Sequence, residues 1–154
     1  MLGVLKSLAE TMRTFARKPV TIEYPTVRRE IPERERGYPV LLWDAEVGEP
    51  FCVGCHACER ACPTECISVI MKDNPLAAEE KSKRRKIVDK FLLDYGRCIR
   101  CRICVENCNF SAIAMNNTWR GHELSRYDRA DLVMDLERLL AQSKAQEIEP
   151  WVAP

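Results

Sequence analysis

Apolar side chains recur every three or four residues over the first part of the chain, and the pattern stops at Pro19. This spacing predicts an amphipathic helix over residues 1–18, because positions three or four apart share one helix face. The apolar positions are Leu2, Leu5, Leu8, Met12 and Phe15. Two interpretations remain open: the face packs against protein, or it lies on a membrane surface with the basic residues toward the headgroups.

Residues 19–49 carry prolines at near-regular intervals and no helical spacing. We expect an extended arm that lies across another surface, with a short strand at Val40–Trp43. Between later strands lies an insert, about residues 72–90, whose run of basic residues is typical of a solvated loop. Those strands are predicted from short runs rich in branched apolar residues, at Ile67–Ile70, Phe91–Asp94 and Ile113–Met115.

A second apolar stripe lies near the end of the chain, within residues 117–154. It predicts a helix that begins after Ser125 or Asp128, either of which can cap it. The tail, residues 147–154, holds Trp151 between prolines, and we expect it to dock on another surface. The stripe consists of Leu132, Val133, Leu136, Leu139 and Leu140.

Eight of the nine cysteines fall into one spacing, C-x2-C-x2-C-x3-C, which occurs twice. This run is the bacterial ferredoxin signature for cubane iron–sulfur clusters, so two runs predict two [4Fe–4S] clusters and electron transfer. In two-cluster ferredoxins the fourth cysteine of each run serves the other cluster. The predicted ligands are therefore Cys52, Cys55, Cys58 and Cys108 for cluster one, and Cys98, Cys101, Cys104 and Cys62 for cluster two.

The duplicated run predicts an α+β fold, a pseudo-twofold domain at about residues 50–116 in which each half has a cysteine loop, a short helix and a strand. Branched side chains beside the runs are expected to exclude water from the clusters. These are Val53, Ile67, Ile99, Ile103 and Ile113. Cys66 lies outside both runs; we interpret it as a small buried side chain near a cluster, the alternative being a further ligand.

Composition narrows the class of protein. At 154 residues with a formal net charge of +1, the chain is one domain with extensions and not a polybasic nucleic-acid binder. Nine thiols predict a reducing compartment, and we see neither a secretion signal nor an apolar stretch long enough to span a membrane. Zinc sites favour paired C-x2-4-C units, often with histidine, and His56 and His122 complete no such unit.

Several motifs together carry a resemblance over nearly the whole chain. They are V-T-I-E-Y-P at Val20–Pro25, R-x-R-G at Arg34–Gly37, the two cysteine runs within Phe51–Ile67 and Arg97–Cys108, and the segment Tyr127–Leu140. In these the chain resembles subunit I of the proton-pumping NADH:quinone oxidoreductase, respiratory complex I. Asn109 departs from the proline that usually follows the fourth cysteine.

The resemblance implies a subunit at the cytoplasmic face of the bacterial cell membrane, in peripheral contact with it. Its two clusters would relay single electrons toward quinone, while proton translocation belongs to the assembly. Partners would be other subunits of the hydrophilic and membrane arms. We expect no direct NADH binding, since no G-x-G-x-x-G is present, and no catalytic acid–base residues.

Three other interpretations stay open at this point. One is the equivalent subunit of a membrane-bound hydrogenase or of a ferredoxin-fed quinone oxidoreductase, which shares the cluster repeat. Another is a free eight-iron ferredoxin, although such carriers need no arm or terminal helix. The last is a zinc-stabilised scaffold without a redox role.

Overall fold

The structure is a computed structural model that describes residues 2–24, 26–27, 29–32, 36–117, 125, 127–145 and 148. The chain divides into two compact units, Met1–Pro32 and Glu33–Pro154. The expected docking tail, 147–154, lies outside the described residues except for residue 148. Among the residues described, no helix is long and apolar enough to cross a membrane.

The first unit is built on one helix, α1, Leu2–Phe15. The helix ends before Pro19, as the sequence pattern predicts, because a proline cannot donate the next backbone hydrogen bond. Its apolar stripe is exposed along its whole length: Leu5 and Leu8 are about 60% exposed and Phe15 is 88% exposed. The predicted amphipathic helix is therefore present, and its apolar side chains are exposed.

Antiparallel pairs form the frame of the second unit. β1, Tyr38–Leu41, pairs with β6, Ile113–Asn116, and a short hairpin joins β2, Trp43–Asp44, to β3, Glu49–Pro50. The third sheet has the order β4–β5–β7, from Ile67–Asp73, Lys86–Asp94 and Val133–Met134.

Two half-domains are related by a pseudo-twofold within this frame. In each half a strand leads into a cysteine loop, a short helix and a second strand: β1, α2 and β4 in one, and β5, α4 and β6 in the other. The strands pair across the halves, β1 with β6 and β4 with β5. The predicted α+β fold is confirmed. The helices are α2, Ala57–Ala61, α3, Pro75–Ala78, α4, Ile103–Glu106, and α5, Leu136–Ala145.

The C-terminal helix begins later than the sequence predicts. Asp128 does act as a cap, since its side chain accepts from the Ala130 N–H, but the element it caps is a 3₁₀ turn, Arg129–Leu132. Val133 then belongs to β7, so assigning Leu132 and Val133 to the helical stripe was wrong. The register of β7, with Met134 opposite Leu93 and fully buried, explains the difference.

The arm also differs from its prediction. The strand expected at Val40–Trp43 is two strands, β1 and β2, and Val40, Leu41 and Leu42 are almost completely buried in the second unit. Likewise β4 and β5 reach further into the expected insert, so that only residues 74–85 connect them.

A buried polar contact fixes β1 against α5. The Tyr95 hydroxyl donates to the Pro39 carbonyl at 2.8 Å, and the Gln142 amide donates to that hydroxyl at 3.5 Å. Both side chains are buried, so these bonds satisfy groups that would otherwise destabilise the core. The two cysteine loops lead into α2 and α4, and these two helices contact each other.

Candidate iron–sulfur centre

Two cavities collect the cysteines of both runs. The first is lined by Cys52, Cys55, Cys58 and Cys108, and the second by Cys98, Cys101, Cys104 and Cys62, with Cys66, which belongs to neither run, beside them. Each cavity thus holds three cysteines of one run and the fourth of the other, the same sets that the sequence assigns as ligands. The volume not occupied by protein atoms is about 310 Å³ in the first cavity and 350 Å³ in the second. These volumes include space at the cavity mouth that is open to solvent.

The two loops follow the same backbone path. Left-handed residues flank the second cysteine of each run, and another lies three positions after the fourth cysteine. The pairs are Gly54 and Arg100 (φ 75° and 56°), His56 and Arg102 (61° and 73°), and Glu65 and Ser111 (49° and 48°). Left-handed residues within a turn direct successive backbone N–H groups into a concave surface that attracts anions. Both cavities therefore present the same kind of backbone to an anionic group.

Burial governs the protonation of several thiols. It raises the pKa of Cys52 to about 11 and the pKa values of Cys58 and Cys104 to about 12, because a thiolate is poorly solvated there. These thiols are protonated at neutral pH unless a metal binds them. Iron binding must therefore release their protons.

Cys62 differs from these three thiols in that its pKa is lowered. Burial acts to raise its pKa, but hydrogen bonds from the Cys66 backbone and from Thr64 outweigh burial and lower it. The sulfur of Cys62 lies 3.5 Å from Thr64 Oγ1 and 3.4 Å from Cys66 Sγ. In the other run, Cys108 Sγ accepts from the Ala112 backbone N–H at 3.3 Å.

The donor set and lining fit two iron–sulfur clusters. Thiolates are the ligands of [4Fe–4S] clusters. Each cavity offers the four thiols of one predicted set, and the second also offers Cys66, with an otherwise mainly apolar wall. Val69 and Ile113 line the first cavity, and Ile67 and Leu93 line the second. Among the described residues no carboxylate lines either cavity. In that same part of the chain, no three His, Cys, Asp or Glu side chains form a group suited to a single metal ion.

One expected water-excluding residue does not have that role. Ile99 is 61% exposed, at the rim of the second cavity, because it points out of the loop between Cys98 and Cys101. His56 lines the first cavity, half-buried, with Nδ1 2.6 Å from a Glu59 carboxylate oxygen.

Two arginines donate hydrogen bonds to backbone carbonyls of the loops that form the second cavity. The sequence did not predict these contacts. Arg36 Nη1 donates to the Cys101 carbonyl at 3.1 Å, and Arg97 Nη2 donates to the Thr64 carbonyl at 2.9 Å. The Arg97 contact ties the loop after Cys62 to the run that begins at Cys98. The R-x-R-G motif, which ends at Gly37, contained Arg36 but gave no sign of this role.

Comparison with known proteins agrees with this geometry. Residues 51–113 match the 4Fe-4S dicluster domain family. NADH-quinone oxidoreductase subunit I 2 of Symbiobacterium thermophilum is 33% identical over 96% of this chain and 60% of its own length. The protein of that name from Geobacter metallireducens is 32% identical over 91% of this chain and 98% of its own.

Among solved structures, the chain is similar to one from the membrane-bound sulfane sulfur reductase, an archaeal respiratory membrane complex. The TM-score is 0.43, with 28% identity over 77% of this chain and 58% of that chain.

The fold and its two thiol-lined cavities define a ferredoxin-like protein with two clusters, and its cofactors are two [4Fe–4S] clusters, as predicted. More narrowly, the chain belongs to the NADH-quinone oxidoreductase subunit I family. It spans 60% of the length of the Symbiobacterium relative.

Proposed function

We propose that this chain is the electron-transfer subunit of an NADH:quinone oxidoreductase, in which it relays single electrons toward the quinone site. The observation that carries the proposal is the pair of neighbouring cavities, each lined by four thiols drawn from both runs. We infer the reaction from the name of the relatives, NADH-quinone oxidoreductase subunit I. We propose no substrate site on this chain itself. Each [4Fe–4S] cluster supplies one-electron redox chemistry when bound.

The ligand assignment is part of the proposal. Cys52, Cys55, Cys58 and Cys108 hold cluster one; Cys98, Cys101, Cys104 and Cys62 hold cluster two. The lining of the cavities supports both sets. Exchange of the fourth ligand links the two half-domains covalently through each cluster, which keeps the two redox centres close together.

The protein around the clusters orients them and limits water. Cys58 on α2 and Cys104 on α4 are both buried, and burial is the main cause of their raised pKa values. Cys58 also lies close enough to Cys104 to raise its pKa by charge repulsion. The two cavities thus lie close together, with α2 and α4 in contact. Burial of cysteine sulfurs and the nearby aliphatic walls tune the reduction potential.

The proposal includes a place in the assembly. The chain associates peripherally with the cytoplasmic face of the membrane and contacts other subunits of the hydrophilic and membrane arms. Support comes from α1, whose apolar side chains are exposed, and from the relatives, which are named as subunits of a larger enzyme. Identifying the chains that co-purify distinguishes an NADH-oxidising assembly from a hydrogenase or a ferredoxin-fed complex.

The first test concerns cluster content and ligand exchange. Anaerobically prepared protein should contain about eight iron and eight acid-labile sulfides. In EPR spectra Cys108→Ala should damage the cluster held by Cys52, Cys55 and Cys58, and Cys62→Ala should damage the other cluster. One zinc without sulfide would refute the redox role. Loss of the sequence-local cluster in each variant would refute only the exchange.

A further inference from the structure

The internal repeat differs between its halves just after the exchanged cysteines. Cys62 is followed by Pro-Thr-Glu-Cys, and Cys108 is followed by Asn-Phe-Ser-Ala. Cys66 therefore occupies the position that Ala112 occupies in the other half, and Thr64 the position of Phe110. The backbone conformation matches at Glu65 and Ser111, with φ 49° and 48°. The halves therefore differ here in their side chains and in the backbone N–H that Pro63 lacks and Asn109 has.

Two of these side chains, Cys66 and Thr64, lie close to the sulfur atom of Cys62. Cys66 Sγ is 3.4 Å from Cys62 Sγ, and Thr64 Oγ1 is 3.5 Å from it, so both lie within hydrogen-bonding distance of sulfur. Cys66 is buried and lines the second cavity together with Cys98, Cys101 and Cys104. The Cys66 backbone also hydrogen-bonds Cys62, and the Ala112 backbone N–H makes the equivalent bond to Cys108 at 3.3 Å. The side-chain donors are therefore what distinguishes Cys62 from Cys108.

The direction of these bonds follows from the ligand assignment. A cysteine bound to iron is a thiolate and has no proton to donate. Cys66 and Thr64 each keep one proton, so both would donate toward Cys62. Hydrogen bonds to the sulfurs of an iron–sulfur cluster are among the factors that set its reduction potential. Because they stabilise the more negative, reduced state, they raise that potential.

Cys66 and Cys62 both face the second cavity, and the repeat indicates which of them binds iron. Cys108, the counterpart of Cys62, has only Ala112 where Cys66 would be, so the first cavity obtains its fourth thiolate from the position of Cys108. By the same relation Cys62 completes the second set. Cys66 is also held by the sheet, since its carbonyl accepts from the Asp94 N–H at 2.9 Å.

We propose that Cys66 is a positioning residue and not a ligand: its thiol donates a hydrogen bond to Cys62 and raises the reduction potential of cluster two selectively. The proposal rests on the proposed ligand assignment. Thr64 is a second donor to Cys62. In the other half, Ala112 occupies the position of Cys66 and has no thiol to donate.

The test is a redox titration followed by EPR, on the full chain loaded anaerobically with its clusters. The signal of cluster two is identified as the one lost in Cys101→Ala, and that of cluster one as the one lost in Cys55→Ala. Cys66→Ala should keep its full iron and sulfide content and shift only the midpoint potential of cluster two to a lower value. Cys66→Ser, which keeps a hydroxyl donor, should recover at least part of that shift.

Ala112→Cys is the reciprocal variant, and it should raise the midpoint potential of cluster one alone. Pulsed measurements of proton couplings in H₂O and D₂O give an independent readout. An exchangeable proton near cluster two should be present in the unaltered protein and missing in Cys66→Ala.

Three results would overturn the proposal. Loss of cluster two in Cys66→Ala would make Cys66 a ligand, and an unchanged potential with full cluster content would remove its role as a donor. A shift of both potentials together would point to general loosening and would overturn it as well. Failure of the proposed function is recognised separately, because the unaltered chain would then lack two clusters or would co-purify with subunits other than those of an NADH-oxidising assembly.

Discussion

Gly54 and Arg100 show how one backbone conformation is met by different residues in the two halves. Both are left-handed and both precede the second cysteine of a run. A Cβ on Gly54 would lie 2.8 Å from Met71 Cβ and 3.1 Å from Met71 Cα, because the first loop lies directly on β4. Arg100 has space for a side chain, and its guanidinium lies 5.4 Å from the centre of the Tyr38 ring.

Gly54→Ala should therefore destabilise the first loop by two effects, the left-handed conformation and the contact with Met71. We expect a loss of about 1–3 kcal/mol in the free energy of unfolding. Iron content should fall at cluster one and not at cluster two. Denaturant unfolding under anaerobic conditions, with EPR of both clusters, measures the two effects.

Gly48→Ala is the matched control for this substitution. Gly48 is also left-handed, with φ 80°, but a Cβ there would meet no atom within 4 Å. The control should lose only the conformational part, about 1 kcal/mol, and keep both clusters. Equal losses in the two variants would show that the contact with Met71 has no effect.

At the scale of elements, residue spacing predicted the features that depend on residues close together in the chain. The cysteine runs identified all eight candidate ligands, since three thiols of each set lie on one short loop. α1 was predictable from its apolar spacing and from Pro19. The pairing of β1 with β6 was not predictable, because the two strands lie far apart in the sequence.

The basic run between β4 and β5 was predicted as a solvated loop, and Arg84 differs from that prediction. Its guanidinium donates to Asp44 at 2.8 Å and to Glu49 at 2.6 Å, and it lies over the Phe51 ring. Glu49 is almost fully buried and also accepts from Asn74. Charge alone cannot show this role, because the two carboxylates lie in a distant hairpin, β2–β3.

Arg84→Met should destabilise the second unit, because it leaves buried carboxylates without their cation. We expect about 2–3 kcal/mol, below the roughly 3–5 kcal/mol for breaking a fully buried pair, since Arg84 is partly exposed. Hydrogen bonds and Arg84 hold the pKa values of Asp44 and Glu49 below their ordinary values. Their contribution is lost as pH falls through those lowered values, so denaturant unfolding at pH 7 reports it in full.

Lys81→Met serves as the control within the same segment. Lys81 pairs with Glu79 at 2.7 Å, but both side chains are more than half exposed. Exposed pairs of this kind contribute about 0–1 kcal/mol. If Arg84→Met and Lys81→Met destabilised the protein equally, the Arg84 contacts would have no special structural role.

At the scale of the whole molecule, the chain combines a compact cluster-binding unit with a helix that leaves its apolar face exposed. Among the described residues, the second unit has a small core that extends from β1 to α5, and cysteines make up part of it. Cluster binding should therefore supply much of the stability of that unit. α1 holds none of the candidate ligands, so its exposed apolar face does not serve cluster binding.

Deleting residues 1–18 should leave both cluster spectra intact while it reduces recovery of the subunit with membranes. The five apolar side chains of α1 are each 60–88% exposed. Burying them in a membrane surface, at about 1.5–3 kcal/mol each, would contribute roughly 7–15 kcal/mol before ordering costs. That is enough to anchor a subunit. Flotation of anaerobic lysates on density gradients, with iron assays of each fraction, measures both outcomes.

A point variant separates the apolar face from the helix itself. Leu5→Glu with Leu8→Glu keeps the length of α1 but places two charges in the apolar stripe, and it should lower membrane recovery as deletion does. Lys6→Gln is the control off the stripe; it should lower recovery only slightly, because one basic residue adds about 1 kcal/mol of attraction to an anionic surface. If the truncated chain stayed fully with membranes and supported normal quinone reduction, α1 would have no anchoring role.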